Sequence, residues 1–127
     1  MCGIVGGLDS RRRVPNGSGS SGSDLFVARD EPDIGTPFQK WLVLRWEMLD
    51  DGSDGVSVEM NMRDDLRGPA GSLEGGVVST LADVAGASAI ARTVGMVATQ
   101  HVALSFLAPG RVGPIRATAV PLRFQTS

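Results

Sequence analysis

The residues best suited to chemistry in this sequence are a glycine pair, Gly75-Gly76, and a carboxylate, Asp83, which follows eight positions after Gly75. Glycines at the start of a helix leave backbone N–H groups accessible, and the helix dipole attracts an oxygen that gains negative charge to that end. The neighbours of Asp83 are small and apolar, and a carboxylate is costly to bury among them unless it has a partner or a task. These groups are two of the parts needed to hydrolyse an activated acyl group.

The helix that would carry both groups is expected from about Leu73 to Arg92, with Ser72 as its N-cap. Nearly all of its residues are small or apolar, and polar side chains are scarce. A helix of that composition has no water-facing side. We therefore expect other elements to enclose it and Asp83 to be buried.

Strands are predicted on both sides of this helix. Alternating apolar and polar residues, with turn signals between them, predict a helical turn over 37–40, strands over 41–49 and 56–63 joined by a turn at 50–55, and strands over 96–106 and 115–120. On the strand over 96–106, Thr99 and His101 would share one face. The order of elements predicts an α+β fold in which an antiparallel sheet curls around one central helix.

The composition excludes several classes of partner. The chain has 127 residues, with 12 basic and 14 acidic side chains and a net charge of −2, so nothing in it favours nucleic acid or an anionic membrane. We expect no apolar run to reach the length that a membrane span needs. A single cysteine excludes a disulfide framework and a cysteine-rich metal site. One cysteine and one histidine fit a reducing compartment, so we expect a cytoplasmic protein with no metal.

The first 35 residues differ in composition from the rest. A Gly/Ser tract over 16–23 lies among few apolar side chains, which predicts a flexible segment over 1–35 and a folded domain over 36–127. The start of the chain, Met1 to Gly6, resembles the N-terminal-nucleophile glutamine amidotransferases, in which Cys2 would be the nucleophile. Six residues are a weak basis for that activity, since a Gly/Ser tract follows where that family needs core strands.

An ordered set of residues lies between Gly68 and Arg123: Gly71-x-x-x-Gly75-Gly76, Leu81-x-Asp83-x-Ala85, Thr99-x-x-Val102-x-Leu104-x-Phe106-Leu107-x-Pro109, and Gly113 before a strand. In this order they resemble the hotdog-fold acyl-CoA thioesterases of the phenylacetate-degradation type, and residues 38–62 fit that family's opening elements more loosely. The resemblance implies a hotdog fold, homodimers or homotetramers whose sheets join at their edges, and active sites between protomers. The family's last strands would be missing, which would leave a sheet edge open.

The resemblance also implies roles for residues, carried over by position. Gly75 would supply the backbone N–H that polarises the thioester carbonyl, Asp83 would be general base or nucleophile, and Thr99 would help to place the water. Further contacts to the substrate are expected from Gly76, Glu74, His101, Arg111 and Arg116. Arg111, Arg116 and Arg123 could meet the phosphates of coenzyme A, with ordinary solvated surface as the alternative. Coenzyme A is expected as part of the substrate, with no separate cofactor.

The spacing of Gly75 and Asp83 bears on where such a site would lie. Eight positions along one helix correspond to roughly 12 Å at 1.5 Å per residue. One thioester carbon cannot lie about 3 Å from both groups. If both act on the same carbonyl, they must come from two chains, and a two-fold axis then gives two equivalent sites.

Two differences from the family keep other hypotheses open. The family usually carries His where this chain has Glu74, and often Asn where it has Gly68. Glu74 suits the dipole of the helix start but would repel an oxyanion if it pointed inward, so we expect it to point outward. The alternatives are a non-catalytic module that binds acyl-CoA or an acyl carrier, an inactive shortened relative, and a purely structural dimerisation domain. In those cases Asp83 would be a solvated carboxylate, and the glycine pair would serve close packing of helix on sheet.

Overall fold

The computed structural model describes residues 3–9 and 35–123, and for residues 3–9 and 123 it describes the backbone only. The elements follow in this order: β1 (Gly3–Asp9), α1 (Pro37–Trp41), β2 (Arg45–Met48), β3 (Val56–Met60), a 3-10 turn (Asp64–Leu66), α2 (Gly75–Val94) and β4 (Ile115–Arg123). Cys2 and the Gly/Ser tract lie outside the described residues.

The strands form one antiparallel sheet in the order β1-β4-β3-β2, and α2 packs against it. In the middle of the sheet Val58 lies opposite Ala117 of β4 on one side and Trp46 of β2 on the other. The expected α+β architecture, an antiparallel sheet with one central helix, is confirmed. It is consistent with a hotdog fold, with no strand after β4 among the described residues.

The core lies between the sheet and one face of α2. Alternate residues of a strand point to the same side, whereas helical residues three or four apart share a face. The buried side chains follow both periods, with Val56, Val58 and Met60 from β3, Ile115, Ala117 and Ala119 from β4, and Leu81, Val84, Ala85 and Ala89 from α2. The other side of α2, which includes Gly76 and Asp83, is exposed or half-buried. The expectation that the helix is enclosed all round is therefore wrong.

On the face of the sheet turned away from α2, polar side chains connect three strands. Glu59 of β3 accepts hydrogen bonds from Arg45 of β2 at 2.8 Å and from Arg116 of β4 at 2.8 and 3.1 Å. The side chain of Glu59 is only 12% exposed. Burial opposes its charge, but the two guanidinium groups outweigh that effect and hold the pKa of Glu59 below its ordinary value. This cluster fixes the register of β2, β3 and β4.

The hairpin of β2 and β3 forms where the turn signals predict it. The N–H of Leu49 donates to the carbonyl of Gly55 at 2.9 Å, and Asp51 accepts a hydrogen bond from the N–H of Ser53 at 2.9 Å. Gly52 and Asp54 have φ angles of 80° and 59°, a region that glycine and aspartate tolerate better than most residues. The expected turn over 37–40 is also present as α1, which is capped by Thr36 through a capping box with Gln39.

Residues 96–107, called the flanking segment here, do not form the expected strand. The hydroxyl of Thr99 reaches Asp83 in the middle of α2, and the ring of Phe106 lies beside Gly75 at the start of α2. The segment therefore runs antiparallel to α2, and all of its residues are exposed. A strand needs a partner for its backbone groups, and β1 and β3 already occupy both sides of β4.

Strand β1 is an addition that sequence reasoning did not predict. Residues 3–9 pair with β4 in antiparallel register, from Gly3 opposite Arg123 to Asp9 opposite Arg116. These residues fall in the flexible segment predicted over 1–35, a prediction that rests on the Gly/Ser tract and the few apolar side chains around it. The boundary at residue 35 stays a prediction.

By length and composition, α2 is the one helix among the described residues that could cross a membrane. The prediction that no apolar run reaches membrane-spanning length is wrong by this measure. The core helix of a soluble protein has the same properties, and α2 does bury one face against the sheet through Leu81, Ala85 and Ala89. Its exposed side carries the carboxylate of Asp83.

Candidate functional site

The start of α2 presents free backbone donors. The helix begins at Gly75 after Glu74, and the N–H groups of Val77 and Val78 both donate to the carbonyl of Glu74, at 2.9 and 3.2 Å. Within the described part of the chain, the N–H groups of Gly75 and Gly76 donate to no acceptor. Glu74, and not Ser72 as expected, is the N-cap, and its side chain makes no capping bond. These two N–H groups are therefore free to donate to an incoming anion or oxyanion.

Neither backbone conformation nor crowding among the described residues requires glycine at these positions. A Cβ added at Gly76 would meet nothing within 4 Å, and one added at Gly75 would meet only the Phe106 ring, at an ordinary 3.8 Å. Neither residue has a positive φ. Close packing of the helix on the sheet, the structural alternative for this pair, is therefore wrong for the described residues.

Glu74 is exposed, as expected for a side chain that points outward. Its carboxylate lies next to Gly68, where an added Cβ would be 3.0 Å from Oε2. Its own N–H donates to the carbonyl of Leu66 at 2.9 Å, which fixes the chain just before the helix. The two residues at which this chain differs from the family motif, Glu74 and Gly68, are thus neighbours in space.

Asp83 and Thr99 are brought together although 16 positions separate them. The hydroxyl of Thr99 donates to Oδ1 of Asp83 at 2.5 Å. Asp83 is exposed in the single chain, so the expectation that it is buried is wrong. The reason is that Asp83 lies on the side of α2 turned away from the sheet. A carboxylate there keeps its hydration and one lone pair free, as a base that accepts a proton from water must.

Two clefts meet at the Asp83–Thr99 pair. One, of about 460 Å³, extends toward the start of α2 and is lined also by Ser79, Thr80, Val102 and Leu104. The other, of about 410 Å³, extends toward β2 and is lined also by Gly35, Gln39, Trp46, Val84, Ala87, Ser88 and Val97. Volumes of this size hold part of a small organic molecule. A reacting group at Asp83 would therefore have room on both sides.

The donors at Gly75 are out of reach of Asp83 in the same chain. Both residues lie on α2, an uninterrupted helix, so eight positions still correspond to roughly 12 Å. A carbonyl in contact with one group is too far from the other to be polarised by it. The single chain therefore presents the free donors at the start of α2 and the carboxylate of Asp83 at separate places.

The remaining residues singled out from the sequence are placed differently. Arg111 lies beside the turn before α2, where its Nη1 donates to the carbonyl of Ala70 at 3.0 Å. His101 is exposed and lines neither cleft. Arg116 is on the sheet face away from α2, paired with Glu59. The structure thus places Arg111 near the helix start but brings neither His101 nor Arg116 to Asp83.

Sequence reasoning missed Trp46, Ser88 and Gln39 as residues of the cleft toward β2. Nε1 of Trp46 donates to Oγ of Ser88 at 3.1 Å, which ties β2 to α2 across the cleft floor. One signal was available, since a half-buried tryptophan needs an acceptor for its N–H. The spacing of residues could not identify that acceptor, because 42 positions separate the two.

Among the described residues, no group of three or more His, Cys, Asp or Glu side chains is placed to hold a metal ion.

Comparison with known proteins gives one finding at the level of family. Residues 70–127 match the Thioesterase superfamily, a stretch that contains α2, the flanking segment and β4. Neither the comparison with curated proteins nor that with solved structures found a match. The matched stretch includes Gly75, Asp83 and Thr99, and for that family it indicates hydrolysis of thioesters. The match covers residues 70–127, less than half of the chain, and over that stretch the chain is similar to the Thioesterase superfamily.

Proposed function

We propose that this chain is an acyl-CoA thioesterase, similar to the phenylacetate-degradation type, which hydrolyses its substrate to a carboxylate and free coenzyme A in the cytoplasm. The observation that carries the proposal is the Thr99 hydroxyl donating to Asp83 beside two clefts. That contact joins two positions of the family motif that lie on different elements. An exposed carboxylate held by a hydroxyl can accept a proton from water and stay correctly oriented.

In the proposed reaction Asp83 removes a proton from a water molecule as the water oxygen attacks the thioester carbon. Negative charge then develops on the carbonyl oxygen, where the N–H group of Gly75 stabilises it. The C–S bond breaks, and the thiolate of coenzyme A leaves and takes up a proton. Direct attack by the Asp83 carboxylate, followed by hydrolysis of the anhydride, uses the same two groups.

If Gly75 and Asp83 act on the same carbonyl, the roughly 12 Å between them means that they come from two chains. We propose a homodimer, alone or within a tetramer, in which Gly75 of one copy faces Asp83 of the other. The same two-fold axis then builds two identical sites. Phe106, which is 60% exposed beside Gly75, and the apolar residues of the flanking segment supply surface for such an interface.

The phosphates of coenzyme A would bind near the start of α2. Arg111 is exposed there, and one hydrogen bond to Ala70 leaves further N–H groups of its guanidinium for an anion. Arg116 is a weaker candidate, because it is already paired with Glu59 on the sheet face turned away from α2.

The decisive experiment replaces Asp83 with asparagine and follows free thiol release across a panel of acyl-CoA substrates. We expect turnover to fall by at least about a hundredfold, the lower range for loss of a general base. Asp50→Asn is the matched control, since it removes the same charge from an exposed carboxylate outside both clefts. Unchanged rates in Asp83→Asn would remove this carboxylate from the mechanism.

A non-catalytic acyl-CoA binding module is the second candidate. It is favoured by the Phe106 ring lying beside Gly75 and by the carboxylate of Glu74 at the helix start. Calorimetric titration with acyl-CoA separates the candidates. Binding without thiol release from any substrate would favour the module, whereas no binding at all would favour a dimerisation domain.

A further inference from the structure

We propose that Trp46 determines which acyl groups the site accepts, by closing the far end of the cleft that leads from Asp83 toward β2. The inference rests on the proposed thioesterase function. It assigns the acyl group to this cleft and limits that group to neutral chains that end before the indole ring.

The charge of the cleft favours a neutral occupant. Asp83 is the only charged side chain among the described residues that line it. A second anionic group, whether a phosphate of coenzyme A or a carboxylate at the far end of the acyl chain, would be repelled there and would find no cation to pair with. The other cleft leads toward the start of α2, near which Arg111 lies. The anionic part of the substrate would therefore bind more favourably there.

The indole of Trp46 is held in place and is not a flexible cover. Its Nε1 donates to Oγ of Ser88 at 3.1 Å, and the ring packs against the hydrophobic core. Its Cη2 atom comes within 3.5 Å of where a Cβ on Gly35 would stand, so the ring reaches across to the segment before α1. A ring that is hydrogen-bonded at Nε1 and packed against the core forms a firm wall for the cleft.

The apolar residues that line the cleft besides Trp46 are small. Val84 and Ala87 of α2 and Val97 of the flanking segment line it, and Trp46 is the largest side chain in the cleft. Its ring therefore sets the depth available beyond Asp83. A hydrophobic wall discriminates by about 10- to 200-fold for each methylene that does or does not fit.

The experiment measures kcat/KM for straight-chain acyl-CoA substrates of increasing length. Trp46→Ala should move the preferred chain to a longer one and raise the ratio of long-chain to short-chain kcat/KM by at least about tenfold. Ala87→Phe should do the reverse, because a phenyl ring on α2 would fill part of the cleft. Trp41→Phe is the control, since Trp41 is 52% exposed and lines neither cleft, and its profile should match the wild type. A length profile unchanged in both cleft variants would overturn the proposal.

A binding measurement tests the same idea if Trp46→Ala does not fold. The chain has two tryptophans, so in Trp41→Phe the emission comes from Trp46 alone. Titration with a non-hydrolysable acyl-CoA thioether should change that emission saturably, and free coenzyme A should leave it unchanged. Equal changes with both ligands would place the acyl group elsewhere and refute the inference.

The two proposals fail in different ways. An emission change specific to the acyl analogue, with no hydrolysis of any substrate, would retain the acyl cleft and reject the enzyme. Hydrolysis that depends on Asp83, with a length profile indifferent to Trp46 and Ala87, would retain the enzyme and reject the cleft.

Discussion

Replacing Gly75 with proline should remove the proposed oxyanion donor without disturbing the helix that carries it. Proline at the first position of a helix is favourable, because its missing N–H has no partner within the helix. The preceding residue, Glu74, already has φ −55° and ψ 134°, the extended conformation that proline requires before it. The N–H of Gly75 has no acceptor among the described residues, so no hydrogen bond of the fold is lost.

The expected effect on stability is small, and the effect on turnover is large. Loss of glycine's freedom in the unfolded chain should stabilise the protein by about 0.4–1 kcal/mol. Loss of one oxyanion donor should reduce kcat by about 10²–10³, which corresponds to about 2.7–4 kcal/mol in the transition state. Gly75→Ala keeps the N–H and adds a methyl that meets Phe106 at 3.8 Å, so its loss of turnover should be clearly smaller.

The assay compares kcat for thiol release with urea unfolding of the same preparations. Mixing the variant chains then tests the shared site. A dimer of one Asp83→Asn chain and one Gly75→Pro chain has one whole site, built from the intact Asp83 of one chain and the intact Gly75 of the other. Random exchange makes half of the dimers mixed, so activity should recover to about a quarter of the wild type.

Two results would refute this reasoning. Wild-type turnover in Gly75→Pro would show that this N–H takes no part in the reaction. An inactive mixture of two variants that do exchange subunits would show that the two groups do not meet across a two-fold axis. A loss of stability in Gly75→Pro comparable to its loss of turnover would mean that the helix start had changed. The turnover of Gly75→Ala would then be compared with that of the wild type instead.

Two further predictions concern contacts seen in the structure. Thr99→Val removes the hydroxyl that donates to Asp83 and should lower kcat by about 10- to 100-fold, since a hydrogen bond to a charged group is worth about 1.5–3 kcal/mol. Thr99→Ser should restore turnover, and equal rates in both variants would contradict a role for the hydroxyl. The pKa of Glu59 is held below its ordinary 4.5, so its contribution to stability is complete above that pH and is lost as the pH falls through the lowered value. Glu59→Gln should lower the free energy of unfolding by about 1–3 kcal/mol at neutral pH. Below pH 4.5 that free energy should fall less steeply in the variant than in the wild type. A variant with the same pH profile as the wild type would contradict this role of Glu59.

Most of the fold followed from periodicity and turn chemistry. The hairpin, the helix and the strand at 115 formed within a few residues of the expected bounds. The flanking segment did not, because its alternating residues predict a strand only where a sheet edge is free to pair with it. Strand β1 is the opposite case, a strand that was not predicted. Its seven glycine-rich residues have little strand signal, but they pair with β4.

By itself, the sequence determined how far apart Gly75 and Asp83 lie along one helix, because the rise of a helix is fixed by its geometry. It also determined the donors at Gly75 and Gly76, which are a property of any helix start. Only the tertiary structure decided which face of α2 is covered, and so that Asp83 is exposed and bonded to Thr99. It likewise paired Trp46 with Ser88, 42 positions away, and Arg116 with Glu59, 57 positions away. Contacts over such separations depend on how the elements pack.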